Sequence, residues 1–192
     1  MLDLMLDTDD LRPDKLRPIT RREYYALGET GAFDGQRVEL LYGQIVAVSP
    51  IGTRHARMTV WLNRYLCTQL SEAYAVHPAL PFIADEYSEP EPDMMVVRAD
   101  VEFAEHPTSA LLIIELADSS LRKDRMIKAR LYAEAGVPEY WIVNLSKAGE
   151  VSVEVYTRPS ASGYAQMTTV GEGEVLRPTL VPLEIPVAAL PR

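Results

Sequence analysis

Across residues 111–116 the chain is apolar at every position except Glu115. A run of this kind, with no alternation of apolar and polar residues, predicts a strand buried on both faces of a helix-covered sheet. Met94, Met95, Val96 and Val97 form a second run, entered directly from Pro92 and Asp93, so Asp93 falls at a strand start. The period then changes. Ile127, Leu131 and Ala135 recur every four residues, which predicts a helix with one buried stripe. Asp118, Ser119 and Ser120 offer N-cap oxygens before it, and Gly136 followed by Pro138 closes it. A strand over residues 140–145 comes next.

Upstream, Thr20 and Glu23 have capping-box spacing and predict a short helix over residues 20–27. Residues 37–41 and 44–48 flank Tyr42 and Gly43 as a hairpin. A helix is predicted over residues 53–70, packed through Val60, Trp61, Tyr65 and Leu66, with strands over residues 73–77 and 81–84 after it. Beyond Leu145, residues 151–156, 164–170 and 174–176 read as short strands whose neighbouring prolines favour edge positions. Residues 1–17 read as a flexible segment. Residues 18–192 read as a single domain, with a core over 53–145 and a β-rich extension over 146–192. The fold class this order predicts is α/β: a central mixed sheet flanked by helices, with an extra N-terminal hairpin and a β-rich C-terminal tail.

Asp93 and Glu115 stand out because a buried carboxylate is costly unless a cation or a metal compensates it. Neighbouring strands of one sheet hold two such groups a few ångströms apart, and hard oxygen ligands suit Mg²⁺ or Mn²⁺. Lys128 lies at the edge of the helix stripe, one turn after Asp124 and one turn before Tyr132, where it can lean toward the preceding strand. Two carboxylates and a lysine match metal-assisted phosphodiester cleavage, in which the lysine orients water and offsets developing charge. The residue types alone leave a structural assignment open. In that assignment Asp93 is a turn residue, Glu115 pairs with an arginine, and Lys128 is a surface partner of Asp124.

The segments FDGQRVELLYGQIVAVSPIGTRH, EPEPDMMVV and IIELADSSLRKDRMIKARLYAEAGVPEYWIVNL resemble the Uma-type restriction endonucleases, a family within the PD-(D/E)XK nuclease superfamily. The resemblance runs over residues 20–145. It implies a restriction-endonuclease-like fold, with Asp93 as the acid of the PD motif and Glu115 as the second acid. The superfamily's usual lysine position, two residues after Glu115, holds Ala117. The resemblance places that lysine on the following helix, at Lys128. It also matches Glu39 and His55 to a glutamate and a histidine of the family, able to complete a metal shell, contact phosphate or serve structure. The implied metal site is one Mg²⁺ held by Asp93, Glu115 and the backbone carbonyl of Leu116.

Composition narrows this reading. The chain has 192 residues, 47% of them hydrophobic, enough for one real core. It contains no apolar stretch of membrane-spanning length, and its acidic start is unlike a secretion signal, so a cytoplasmic location is expected. The single cysteine, Cys67, reads as a small buried hydrophobe. No zinc spacing or phosphate-binding glycine loop occurs. A net charge of −9 works against strong nucleic-acid binding, which rests on Lys and Arg contacts. Arg122, Lys123, Arg125, Lys128 and Arg130 nevertheless crowd one helix, and Arg54, Arg57 and Arg64 another, which permits a local basic cleft. The expected function is a metal-dependent endonuclease acting on DNA through Asp93, Glu115 and Lys128. The alternative is a nuclease-fold protein without catalysis, serving as a nucleic-acid-binding or homodimeric assembly module.

Overall fold

The two apolar runs become the middle of a six-stranded sheet. In the computed structural model, which describes residues 17–145 and 150–192, β3 (Tyr74–Pro78), β4 (Met94–Arg98), β5 (Leu112–Ala117), β6 (Glu139–Leu145), β7 (Val151–Ser160) and β8 (Gly163–Val170) lie side by side in chain order. The flexible segment expected over residues 1–17 falls outside the described residues except for Arg17. Only β5 and β6 pair in parallel, joined by the helical segment after β5, and every other neighbour is antiparallel. Every residue of β5 is buried, as an unbroken apolar run requires.

Side-chain alternation along these strands feeds two cores. Met94, Val96, Leu112, Ile114 and Leu116 face α2 (Thr53–Gln69), through its Met58, Leu62 and Leu66. The same face is closed by the C-terminal residues around β9 (Val175–Leu176) and β10 (Ile185–Pro186), a small antiparallel pair. Met95, Val97, Ile113 and Ile142 face the other way, toward Tyr132, Ala129 and Phe82. The helix over that face is α3 (Leu121–Lys123), a π turn (Asp124–Lys128) and α4 (Ala129–Glu134) in continuous succession.

At the N-terminal side, α1 (Arg21–Glu29) opens with the expected capping box. The Thr20 hydroxyl accepts from the Glu23 N–H, and the Thr20 N–H donates to the Glu23 carboxylate at 2.9 Å. The hairpin of β1 (Val38–Leu41) and β2 (Gln44–Ala47) turns at Tyr42 and Gly43, both with positive φ. Gly43 has no alternative: at φ +74°, an added Cβ would sit 2.7 Å from Pro18 Cα and 2.9 Å from Ile19 N. Gly43→Ala is therefore expected to lose about 1–3 kcal/mol, from overpacking against backbone that cannot move aside, measured by urea denaturation.

The edge position expected for residues 151–156 is not found, since they belong to β7, a ten-residue strand paired with both β6 and β8, and four further expectations fail in detail. Residues 81–84 form no strand, because Pro78, Pro81 and Pro90 withhold ladder N–H groups; Phe82 and Ile83 donate instead to Pro90 and Pro107 carbonyls. Val60 is 69% exposed, since the buried stripe of α2 runs through Met58, Leu62 and Leu66 and residue 60 points away from it. Cys67 is exposed for the same reason, one position past Leu66. Ile127, placed in the buried stripe by its spacing, is exposed because the π turn rotates it out.

Candidate active site

The pairing of β4 with β5 stops at Met94 opposite Ile114, while β5 continues beside β6 as far as Ala117. Beyond that point one edge of β5 lacks a partner strand, and the Asp93 side chain takes its place. Asp93 Oδ2 accepts from the Leu116 N–H at 2.8 Å. Its Oδ1 faces His55 Nε2 at 2.9 Å, with His55 presented by the first turn of α2. The His55 Nδ1 lies 3.3 Å from the Thr59 hydroxyl one turn on.

Glu115 points to the opposite face from Leu116, under the helix. Its Oε1 accepts from Lys128 Nζ at 2.8 Å and from the Tyr132 hydroxyl at 2.8 Å. Lys128 also pairs with Glu39 Oε2 at 2.9 Å, and Lys123 Nζ donates to Glu39 Oε1 at 2.6 Å. The π turn makes this possible. Its Ala129 N–H reaches back to the Asp124 carbonyl, a widened turn that sends both Asp124 and Lys128 inward. Lone π turns of this kind recur at functional sites. Glu39 arrives from the distant hairpin, held by the Glu89 N–H to Leu40 carbonyl bond at 2.7 Å. Lys128, read as lying at a stripe edge, is in fact 3% exposed.

Four carboxylates, Glu39, Asp93, Glu115 and Asp124, thus share one region with two lysines and a histidine. Burial pushes Glu115 well above the usual carboxylate range, and Asp93, Asp124 and Glu39 add to it while Lys128 opposes. Burial also raises Asp124, against the pull of Lys128 and of the Ser120 hydroxyl. At Glu39 burial is outweighed by Lys128 and Lys123, and its carboxyl stays below the usual range. Lys128 is held above the usual lysine value despite burial, because Glu115, Glu39 and Asp124 surround it.

The Asp93 hydrogen bond raises His55, against burial, while burial of Asp93 is overcome by His55 and the Leu116 N–H, so Asp93 is lowered. The histidine contribution to stability is full below its unfolded value of about 6.5 and is lost as pH rises through the higher folded value. The aspartate contribution is present above its unfolded value and is lost as pH falls through the lower folded one. Melting curves of wild type and His55→Asn between about pH 5 and pH 9 should therefore converge toward the alkaline end. A gap that stays constant across that range would show that the histidine acts by packing alone.

Apart from Glu39, these groups line a cleft of 340 Å³ together with the segment before α2, Ser119, Ser120, Arg37 and Glu91. The basic helix does not make this cleft strongly positive. Lys123 and Lys128 are spent on buried glutamates, Arg125 pairs with Glu154 and Arg130 with Glu134. Among the described residues, no three His, Cys, Asp or Glu side chains form a ready-made metal cage. The donor set still fits a hard divalent ion, which keeps most of its waters and takes one or two carboxylates. Carboxylates outnumber the cations beside them. Asp93, Glu115 and Leu116 all line the cleft, so the residues expected to hold an ion adjoin one space.

Compared with known proteins, residues 21–188 match the model of the Uma2 family, described as putative restriction endonuclease. The chain belongs to the Uma2 family. A solved structure titled as a putative nuclease belonging to DUF820, from Anabaena variabilis ATCC 29413, superposes with a TM-score of 0.64. That match has 16% identity and covers 89% of this chain and 96% of that one, so the likeness concerns the fold. No curated protein matches the chain significantly. As a Uma2 member the chain carries the mixed six-stranded sheet, N-terminal hairpin and small C-terminal sheet described above. None of its helices among the described residues is long and apolar enough to cross a membrane.

All five side chains singled out from this Uma2 sequence, Glu39, His55, Asp93, Glu115 and Lys128, come together, with Leu116 beside them. Lys123, Tyr132, Ser120 and Asp124 were not singled out as site residues. Asp124 had one visible signal, its position four residues before Lys128, which reads equally well as a surface pair.

Proposed function

We propose that this Uma2 protein is a metal-dependent endonuclease that hydrolyses DNA phosphodiester bonds at the cleft floored by Asp93, Glu115 and Lys128. The observation that carries this reading is the excess of buried carboxylate over lysine around one cleft, in a chain of a restriction-endonuclease family. Asp93 and Glu115, with the Leu116 carbonyl, would hold Mg²⁺ or Mn²⁺. A divalent ion bound there would offset charge on the scissile phosphate and acidify water.

The remaining roles belong to the protein. Lys128 is a fixed cation: it has three N–H donors, and Glu39 and Glu115 occupy two of them. The third is free to orient water or a phosphate oxygen. Glu39 and Tyr132 hold Lys128 and Glu115 in register, and His55 keeps Asp93 ionised.

A second reading has its own support. Both Asp93 oxygens are already engaged, by His55 and by the Leu116 N–H, so the site is also a closed ion-pair lock. On that reading the chain is a nucleic-acid-binding or homodimeric module without catalysis. Calorimetric titration of Mn²⁺ into the folded protein, followed by incubation with supercoiled plasmid and single-stranded DNA, separates the two. Binding together with nicking supports the nuclease, and absence of both from a folded protein favours the module.

A further inference from the structure

Hydrolysis needs a group that takes a proton from the attacking water, and the structure leaves few. Lys128 holds its proton between two glutamates. Both Glu39 oxygens accept from lysines, both Asp93 oxygens are taken, and Glu115 Oε1 accepts from Lys128 and Tyr132. His55 faces Asp93 through Nε2 and Thr59 through Nδ1.

Asp124 differs. It is 1% exposed and walls the cleft; its Oδ2 accepts from the Ser120 hydroxyl at 2.5 Å, and its Oδ1 has no donor among the described residues. A buried acceptor without a partner costs stability, and such groups call for a functional explanation or a bound water. We infer that Asp124 is the proton acceptor of the reaction, a catalytic carboxylate additional to Asp93 and Glu115, its free Oδ1 receiving a proton from the water that attacks phosphorus.

The step balances as hydrolysis. The water oxygen forms a bond to phosphorus, the ester P–O bond breaks, and one water proton passes to Asp124 Oδ1. The departing alkoxide takes a proton from solvent, and Asp124 returns its own to solvent. The charged and titratable groups around Asp124 are Lys128 and Lys123 on its own helix, Asp93 and Glu115 from the β4 and β5 side, and the Tyr140 hydroxyl, which donates to its backbone carbonyl at 3.4 Å. Burial first, and the neighbouring acids after it, raise its basicity, and the lysines keep it ionisable. A buried aspartate of this kind is better matched to proton transfer near neutrality than an exposed one.

The inference rests on the nuclease reading, and its test separates the two. Asp124→Asn keeps the shape and the Ser120 contact but cannot take the proton. Three quantities are measured for wild type, Asp124→Asn and Asp124→Glu: Mn²⁺ affinity by calorimetry, melting temperature, and kcat and KM for plasmid nicking with Mn²⁺. The expected result for Asp124→Asn is unchanged Mn²⁺ affinity and KM, an unchanged or higher melting temperature, and a loss of about 100-fold or more in kcat, partly recovered in Asp124→Glu. Nicking by Asp124→Asn at close to the wild-type rate overturns the assignment. Loss of Mn²⁺ binding alongside activity also overturns it, making Asp124 a metal ligand instead. A folded wild type that neither binds Mn²⁺ nor nicks DNA overturns the nuclease reading, and this one with it.

Discussion

Lys128→Ala is expected to cost about 3–5 kcal/mol of folding stability, because it leaves charge buried without its partner. Lys128 bridges Glu39 and Glu115, which are 1% and 4% exposed. After truncation Glu39 keeps Lys123, but Glu115 keeps only the Tyr132 hydroxyl and still faces Asp93, Asp124 and Glu39. At about 2–4 °C per kcal/mol for a chain of this size, the melting temperature should fall by a readily measured amount. The deficit should shrink as pH is lowered, since Glu115 can then take up a proton and no longer needs a cation. An unchanged urea midpoint at neutral pH would overturn this expected cost. Loss of cleavage in this variant is therefore ambiguous by itself.

Asp93→Asn is the cleaner test of the proposed metal site. The amide oxygen can still accept the Leu116 N–H, so the strand edge remains capped, while the negative charge is gone. Cleavage with Mn²⁺ should fall to background and Mn²⁺ affinity should drop, with the melting temperature lowered only by the share that the His55 ion pair contributes. Asp93→Ala should lose the same functions and also some stability, because the Leu116 N–H then has no acceptor. Wild-type Mn²⁺ affinity in Asp93→Asn would place the ion elsewhere or remove it from the account.

Much of the architecture was legible from local patterns. The doubly buried strands were visible as apolar runs, α1 as a capping box, and the hairpin turn as Tyr42 and Gly43 between alternating segments. The strand expected at residues 81–84 was wrong because a short apolar stretch between prolines has no way to announce which carbonyls it will meet. Val60 and Ile127 were misplaced for related reasons. The α2 stripe runs through Met58, Leu62 and Leu66, and the π turn that contains Ile127 breaks its four-residue register with Leu131.

The sequence by itself determined the order of elements, the depth of the central strands and the odd placement of two acids, Asp93 and Glu115, in apolar surroundings. Those properties follow from side-chain period and from the cost of burying a charge, which are local. Only the tertiary structure decided what compensates those acids. Glu39 reaches Lys128 from a hairpin 89 positions earlier in numbering, His55 reaches Asp93 across the end of β4, and Asp124 turns inward only because the helix widens over it. Contacts of that separation are set by how the hairpin, sheet and helix pack together, and no local period encodes them.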